Sequence, residues 1–160
     1  MDKRLSAKRV LLAVAACIPL WATASSAWAS DWYAYTGSSK FGHLLADNAG
    51  MVESGDTQKF WSAQLPLNPK SGQPIYTKTV YAINCKQRTY SIVQNTAYDA
   101  NEIGSDMPVT AESREVEPDS KEDALAGFAC GPKSNGWKAV DNVPEFLHAR
   151  AYRVKQGVAE

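Results

Sequence analysis

Cysteine stands at three positions in this chain, 17, 85 and 130, and histidine at two, 43 and 148. Thiolate and imidazole are the side chains that hold zinc, but a structural site needs four of them, closely set. No CxxC, CxH or HExxH spacing occurs, so no metal ligands are assigned. His43 and Asp47 lie four positions apart, a base with a carboxylate that could orient it. Such a pair does no acyl or hydrolytic chemistry without a placed nucleophile, and no G-x-S-x-G elbow supplies one. Asp99, Asn101 and Asp106 offer oxygen ligands of the kind calcium takes. Gly104 sits at the sixth place from Asp99, but Thr110 occupies the twelfth, where an EF-hand loop needs Glu. An acidic turn is the better reading. Lys86 and Arg88 could dock an acidic glycan or protein surface, against the plainer reading of a solvated loop. No glycine-rich phosphate loop is present, so no nucleotide or other cofactor is implied and no catalytic residue is assigned.

The thiols acquire a different meaning from the start of the chain. Lys3, Arg4, Lys8 and Arg9 precede an apolar run over residues 10–21, and Ala27-Trp28-Ala29 follows. This is the layout of a signal peptide over residues 1–29, with cleavage after Ala29. Val14-Ala15-Ala16-Cys17 also has the shape of a lipoprotein box, but Ile18-Pro19-Leu20-Trp21 continues the apolar run past it. Cleavage after Ala29 is therefore preferred over lipidation at Cys17. A run of twelve apolar residues is too short to cross a bilayer, and no later segment could, so no transmembrane segment is expected. Cleavage leaves Cys85 and Cys130, an even pair in an exported protein, and one disulfide is the economical reading.

Residues 30–160 hold thirteen lysines and arginines against sixteen aspartates and glutamates, a net charge of −3. That balance lacks the clustered basic surface that phosphate backbones require, so nucleic acid is excluded as the main partner. The length supports one core.

Short strands are expected to carry these residues. Asp31 to Tyr35 is aromatic-rich, Leu44-Leu45-Ala46 is apolar, and Thr57–Leu65 places Trp61, Ala63 and Leu65 on one face. Residues 68–74 form a polar loop. In residues 75–85, Ile75, Thr77, Thr79, Tyr81, Ile83 and Cys85 alternate onto one face, which is read as the core side. Residues 88–98 give the partner strand of a hairpin whose short turn lacks the expected Gly or Asn. One more short strand is expected within residues 107–116. Pro118, then Ser120 with Asp123 three residues on, opens a helix ending at Cys130. Gly131-Pro132 stops it, with Gly131 expected in a left-handed cap. Residues 131–142 read as polar and turn-rich. Val143–Lys155 reads as a second helix, with Phe146, Leu147, Ala151 and Val154 beside His148, Arg150, Arg153 and Lys155. Its basic face could meet anionic lipid or a partner, although a surface helix is the default. The strand aromatics could line a ligand cleft, although core packing accounts for most of them. The expected fold is α+β, an antiparallel sheet with a helix tied to it by Cys85 and Cys130. It occupies residues 30–130, with a C-terminal extension over 131–160.

Tyr81-Ala82-Ile83-Asn84-Cys85, the hairpin to Tyr90, Tyr98-Asp99, Pro118-Asp119-Ser120 and Phe128-Ala129-Cys130 together resemble the surface-adhesin protein E-like family of bacterial envelope proteins. Trp32, Asp47, Gly55 and Trp61 fall where that family places similar residues, so the resemblance covers about residues 32–130. It implies the same bridged sheet and helix. It also implies a non-enzymatic envelope protein, located in the periplasm or on the outer membrane, whose ligands are proteins or host extracellular-matrix components. A periplasmic inhibitor or accessory factor of an envelope enzyme, such as a lysozyme inhibitor, is the alternative that a small bridged export domain also suits.

Overall fold

The computed structural model describes residues 31–70, 72–109 and 112–158. The signal peptide, its cleavage after Ala29 and the lipidation reading at Cys17 lie outside the described residues. Nine strands and two α-helices occur among the described residues, with a 3-10 turn at Ser39–Phe41: β1 (Trp32–Tyr35), β2 (His43–Asp47), β3 (Val52–Ser54), β4 (Thr57–Leu65), β5 (Tyr76–Asn84), β6 (Thr89–Tyr98), β7 (Gly104–Asp106), β8 (Arg114–Glu115), α1 (Lys121–Cys130), β9 (Trp137–Val140) and α2 (Val143–Lys155). The strands join one antiparallel sheet in the order β7-β6-β5-β4-β2-β1-β9, with β3 also on β4 and β8 also on β6. The expected α+β architecture is therefore present.

The sheet is covered on both faces, which explains why β2 runs Leu44-Leu45-Ala46 without a polar break. Leu44 and Ala46 point with Phe60, Tyr81 and Ile83 towards Leu125 and Phe128 of α1. Leu45 points the other way, with Ala63, Leu65 and Tyr76, towards Val143, Leu147 and Ala151 of α2. Ile75 belongs to this second cluster, so the single core face expected across residues 75–85 is corrected. It holds for Tyr81 and Ile83, whereas Ile75 lies before β5 begins, outside the regular alternation.

Helix α1 opens as its sequence predicts. The Ser120 hydroxyl accepts from the Asp123 amide at 3.0 Å, while the Asp123 carboxylate receives the Asp119 amide at 3.2 Å. Arg88, left-handed at φ 55° in the β5–β6 turn, reaches Asp123 at 2.6 Å and ties the hairpin to the helix start. The far end is held by the Cys85–Cys130 disulfide, with a Cα–Cα distance of 5.5 Å. Between these ties the Tyr81 hydroxyl donates to Glu122 at 3.3 Å. Burial first, then the Glu122 charge, pushes that phenol far above its usual range. Gly131 does not form the expected left-handed cap. Its backbone is extended, φ −121°, and a Cβ there would come within 2.8 Å of the Gly127 carbonyl. Glycine is required for close approach rather than for handedness.

The tail is more ordered than its composition indicates. Strand β9 lies on β1, pairing Trp137 with Tyr35 and Val140 with Trp32, and the Trp137 indole packs 4.8 Å from the Phe128 ring. Helix α2 forms over the expected residues, but its basic face is corrected. Arg150 is fully buried, its Nε donating to the Ile75 carbonyl at 3.3 Å and its Nη2 to the Pro66 carbonyl. Phe146 is 37% exposed, so Leu147, Ala151 and the arginine form the seated face instead.

Candidate functional site

The α2 side of the sheet can be read row by row, because directly paired residues share a face. One row begins with Trp32 on β1, whose partner on β2 is Asp47. Ala46 pairs with Ser62, and continuing that register by one residue brings Asp47 level with Trp61 on β4. Trp61 pairs with Val80, and Val80 with Gln94. The next row runs Leu45, Ala63, Lys78 and Thr96. Helix α2 seats on this second row and the one beyond it. Its first turn, at Val143 and Pro144, stops at the edge of the first row, and a groove of about 410 Å³ remains. Trp32, Asp47, Trp61, Lys78, Gln94 and Tyr98 line it. A second hollow of about 350 Å³ shares Trp61 and Gln94 with it and continues towards Val52, Lys59 and Val93. A bulge makes that continuation: Val80 faces Gln94 but Tyr81 faces Ile92, so Val93 has no partner across and stands 45% exposed.

Trp32 keeps only 8% of its surface, so the half-buried Trp61 is the indole a ligand would meet, with Trp32 as its wall. Asp47 is fixed between them. Its Oδ1 accepts the Ala49 amide at 3.0 Å, and the turn closes over it at Gly50. A Cβ at Gly50 would come 3.0 Å from Asp47 Oδ2 and 3.9 Å from Trp61 Cδ1, so glycine admits the carboxylate beside the indole. Burial raises the Asp47 pKa above the usual carboxylate value. The amides of Ala49, Gly50 and Asp31 oppose that rise, and the Asp31 charge adds to it. At the other end, Lys78 Nζ lies 5.7 Å from the centre of the Tyr98 ring, which stacks on Tyr76 at 4.5 Å. Burial, with Glu102 and Tyr98 nearby, pushes the Tyr76 phenol up to about 12.

The residues singled out for chemistry do not converge. His43 and Asp47 occupy opposite ends of β2, about 13 Å apart at strand rise. The His43 ring sits edge-on to Phe146 at 6.1 Å, so no base–orienter pair forms. Asp99 is spent on its own turn, its Oδ1 accepting the Asn101 amide at 2.8 Å and the Ile103 amide at 2.9 Å. Those bonds, that from Ile103 foremost, hold its carboxyl below the usual range. Asp106 receives the Thr96 hydroxyl at 2.9 Å. Arg88 is engaged by Asp123, and Lys86 stays in the exposed turn. A cavity of about 580 Å³ lies elsewhere, between residues 69–70 and 72–74 and the turn at 98–103. Besides those loops it is lined by Ala97 of β6, Ser105 of β7 and Val154 of α2, and its carboxylate, Asp99, is already held by its own turn. Strand aromatics do line an open groove at Trp61. Lys78, Gln94 and Thr96 join it through register, which leaves no mark on any one strand.

The described chain is thus an antiparallel sheet with a helix on each face and an open aromatic groove beside one of them. The family model described as surface-adhesin protein E matches residues 32–131, and the chain belongs to that family. No curated protein and no solved structure matches the chain. The matched segment contains β1 to β8 and α1, and β9 and α2 follow it.

Proposed function

We propose that this is an exported, non-enzymatic binding module of the bacterial envelope, freed by cleavage after Ala29, whose ligands are proteins or matrix components. The observation that carries the reading is the family match over residues 32–131. The site chemistry is consistent with it: His43 and Asp47 lie at opposite ends of β2, and Asp99 and Asp106 serve turns and strand pairing. The direct test immobilises extracellular-matrix and serum proteins and measures saturable binding of the full processed chain at physiological salt. Saturable binding to at least one of them is expected. Binding to none, together with stoichiometric inhibition of a lysozyme-type enzyme, would move the protein to the inhibitor class. Protease treatment of intact cells, with the processed mass read from the same sample, tests the side of the outer membrane it occupies.

A further inference from the structure

The groove at Trp61 has a charge pattern that selects among ligands. Asp47 stands between two indoles contributed by the strands on either side of it, Trp32 on β1 and Trp61 on β4. A cation over an indole face is held by the ring's quadrupole, and a carboxylate at the ring edge adds a charge-assisted hydrogen bond. Lys78 and Lys59 lie further along the same face, with Lys78 drawn to Tyr98 rather than to Asp47. Among the described residues the two lysines of this face thus stand away from its acidic end, and the turn keeps the Asp47 carboxylate aimed there through the Ala49 amide.

We propose that this groove docks a basic side chain, lysine or arginine, carried on an exposed segment of a partner protein. The head group lies against Trp61 and Trp32 and meets the Asp47 carboxylate. The partner's backbone runs past Gln94 towards the hollow at Val93, where Gln94 and Lys59 can meet its carbonyls. The inference rests on the binding-module reading and gives it a face and a ligand chemistry. The raised Asp47 pKa fits it, because a partly buried carboxylate held by backbone amides gains further when a cation arrives.

The processed chain contains three tryptophans, Trp32, Trp61 and Trp137, and the last lies in the core under α1. Indole-labelled full processed chain thus gives three resonances, one of them an internal control. The probes are the capped tripeptide Gly-Lys-Gly, its Arg and Glu counterparts, and a neutral disaccharide, each titrated to roughly 20 mM, a range that reaches weak sites. The Trp61 and Trp32 signals should move saturably with the Lys and Arg peptides, while Trp137 stays still. Asp47→Asn should weaken that binding about tenfold, the loss of one charge-assisted contact. Equal response to the Glu peptide, response to the disaccharide alone, or no response at all would overturn the proposal. The same variant and Trp61→Ala are then tried on the matrix-protein surface. Binding that survives both substitutions refutes the groove and leaves the binding module standing. Peptide binding without any protein partner does the reverse.

Discussion

Removing the disulfide with Cys85→Ala and Cys130→Ala together tests the main tie between α1 and the sheet. The two cysteines lie 45 residues apart. A closed loop of that length restricts the unfolded chain enough to stabilise the fold by about 4 kcal/mol in the chain-entropy account. At roughly 3–5 °C per kcal/mol for a domain of this size, the melting temperature should fall by about 12–20 °C. Thermal melts followed by far-UV circular dichroism give that shift. Urea titrations add a second readout, because an unbridged denatured state exposes more surface and the m-value should rise. The native packing of Leu125 and Phe128 does not require the bond, so the double variant should remain folded at 25 °C. A shift below about 5 °C with an unchanged m-value would refute the reasoning, since the bridge would then be constraining little.

Other consequences are equally direct. Gly42 combines φ 73° with ψ −146°, and a Cβ there would strike the Leu65 carbonyl, so Gly42→Ala should cost at least about 2 kcal/mol in urea unfolding. Arg150→Met should cost about 1–3 kcal/mol, because the Ile75 and Pro66 carbonyls lose their donors while a buried charge is also removed. Arg150→Ala adds a cavity and should cost more in the same assay. Asp47, with its pKa raised in the folded protein, binds more protons folded than unfolded between its ordinary value of 3.8 and the raised one. Stability should therefore fall as pH rises through that window, and the Asp47→Asn variant should lack the decline in melts taken from pH 3 to pH 7.

Local signals carried much of this fold. Thr57–Leu65 was readable from Trp61, Ala63 and Leu65 in alternation, and α1 from Ser120 and its partner Asp123. Other features depend on contacts between distant segments. Trp137-Lys138-Ala139-Val140 is four residues between turn formers, and nothing in it announces a strand until β1 is there to pair with it. Arg150 has the composition of a surface residue, and acceptors such as the carbonyls of Ile75 and Pro66 make its burial tolerable. Gly131 follows a helix and invites the left-handed reading, yet its constraint is the Gly127 carbonyl beside it. The groove was least legible of all. Its members were individually visible, but Asp47 between Trp32 and Trp61 is a fact of register, and register emerges only when the strands are aligned.

The location of that row has a mechanical consequence. Trp32 is the first residue of β1, so the groove lies where the described chain enters the sheet. With the processed chain immobilised through its N-terminus, a pull applied by a ligand at Trp61 would be resisted at Asp31 and would cross β4, β2 and β1, about two strand spacings or 10 Å. That path bypasses α1, the Cys85–Cys130 bond and the long β5–β6 hairpin. Tension on the complex would be borne by the backbone hydrogen bonds of β1 and β2, flanked by β9, while the rest of the domain stays unloaded.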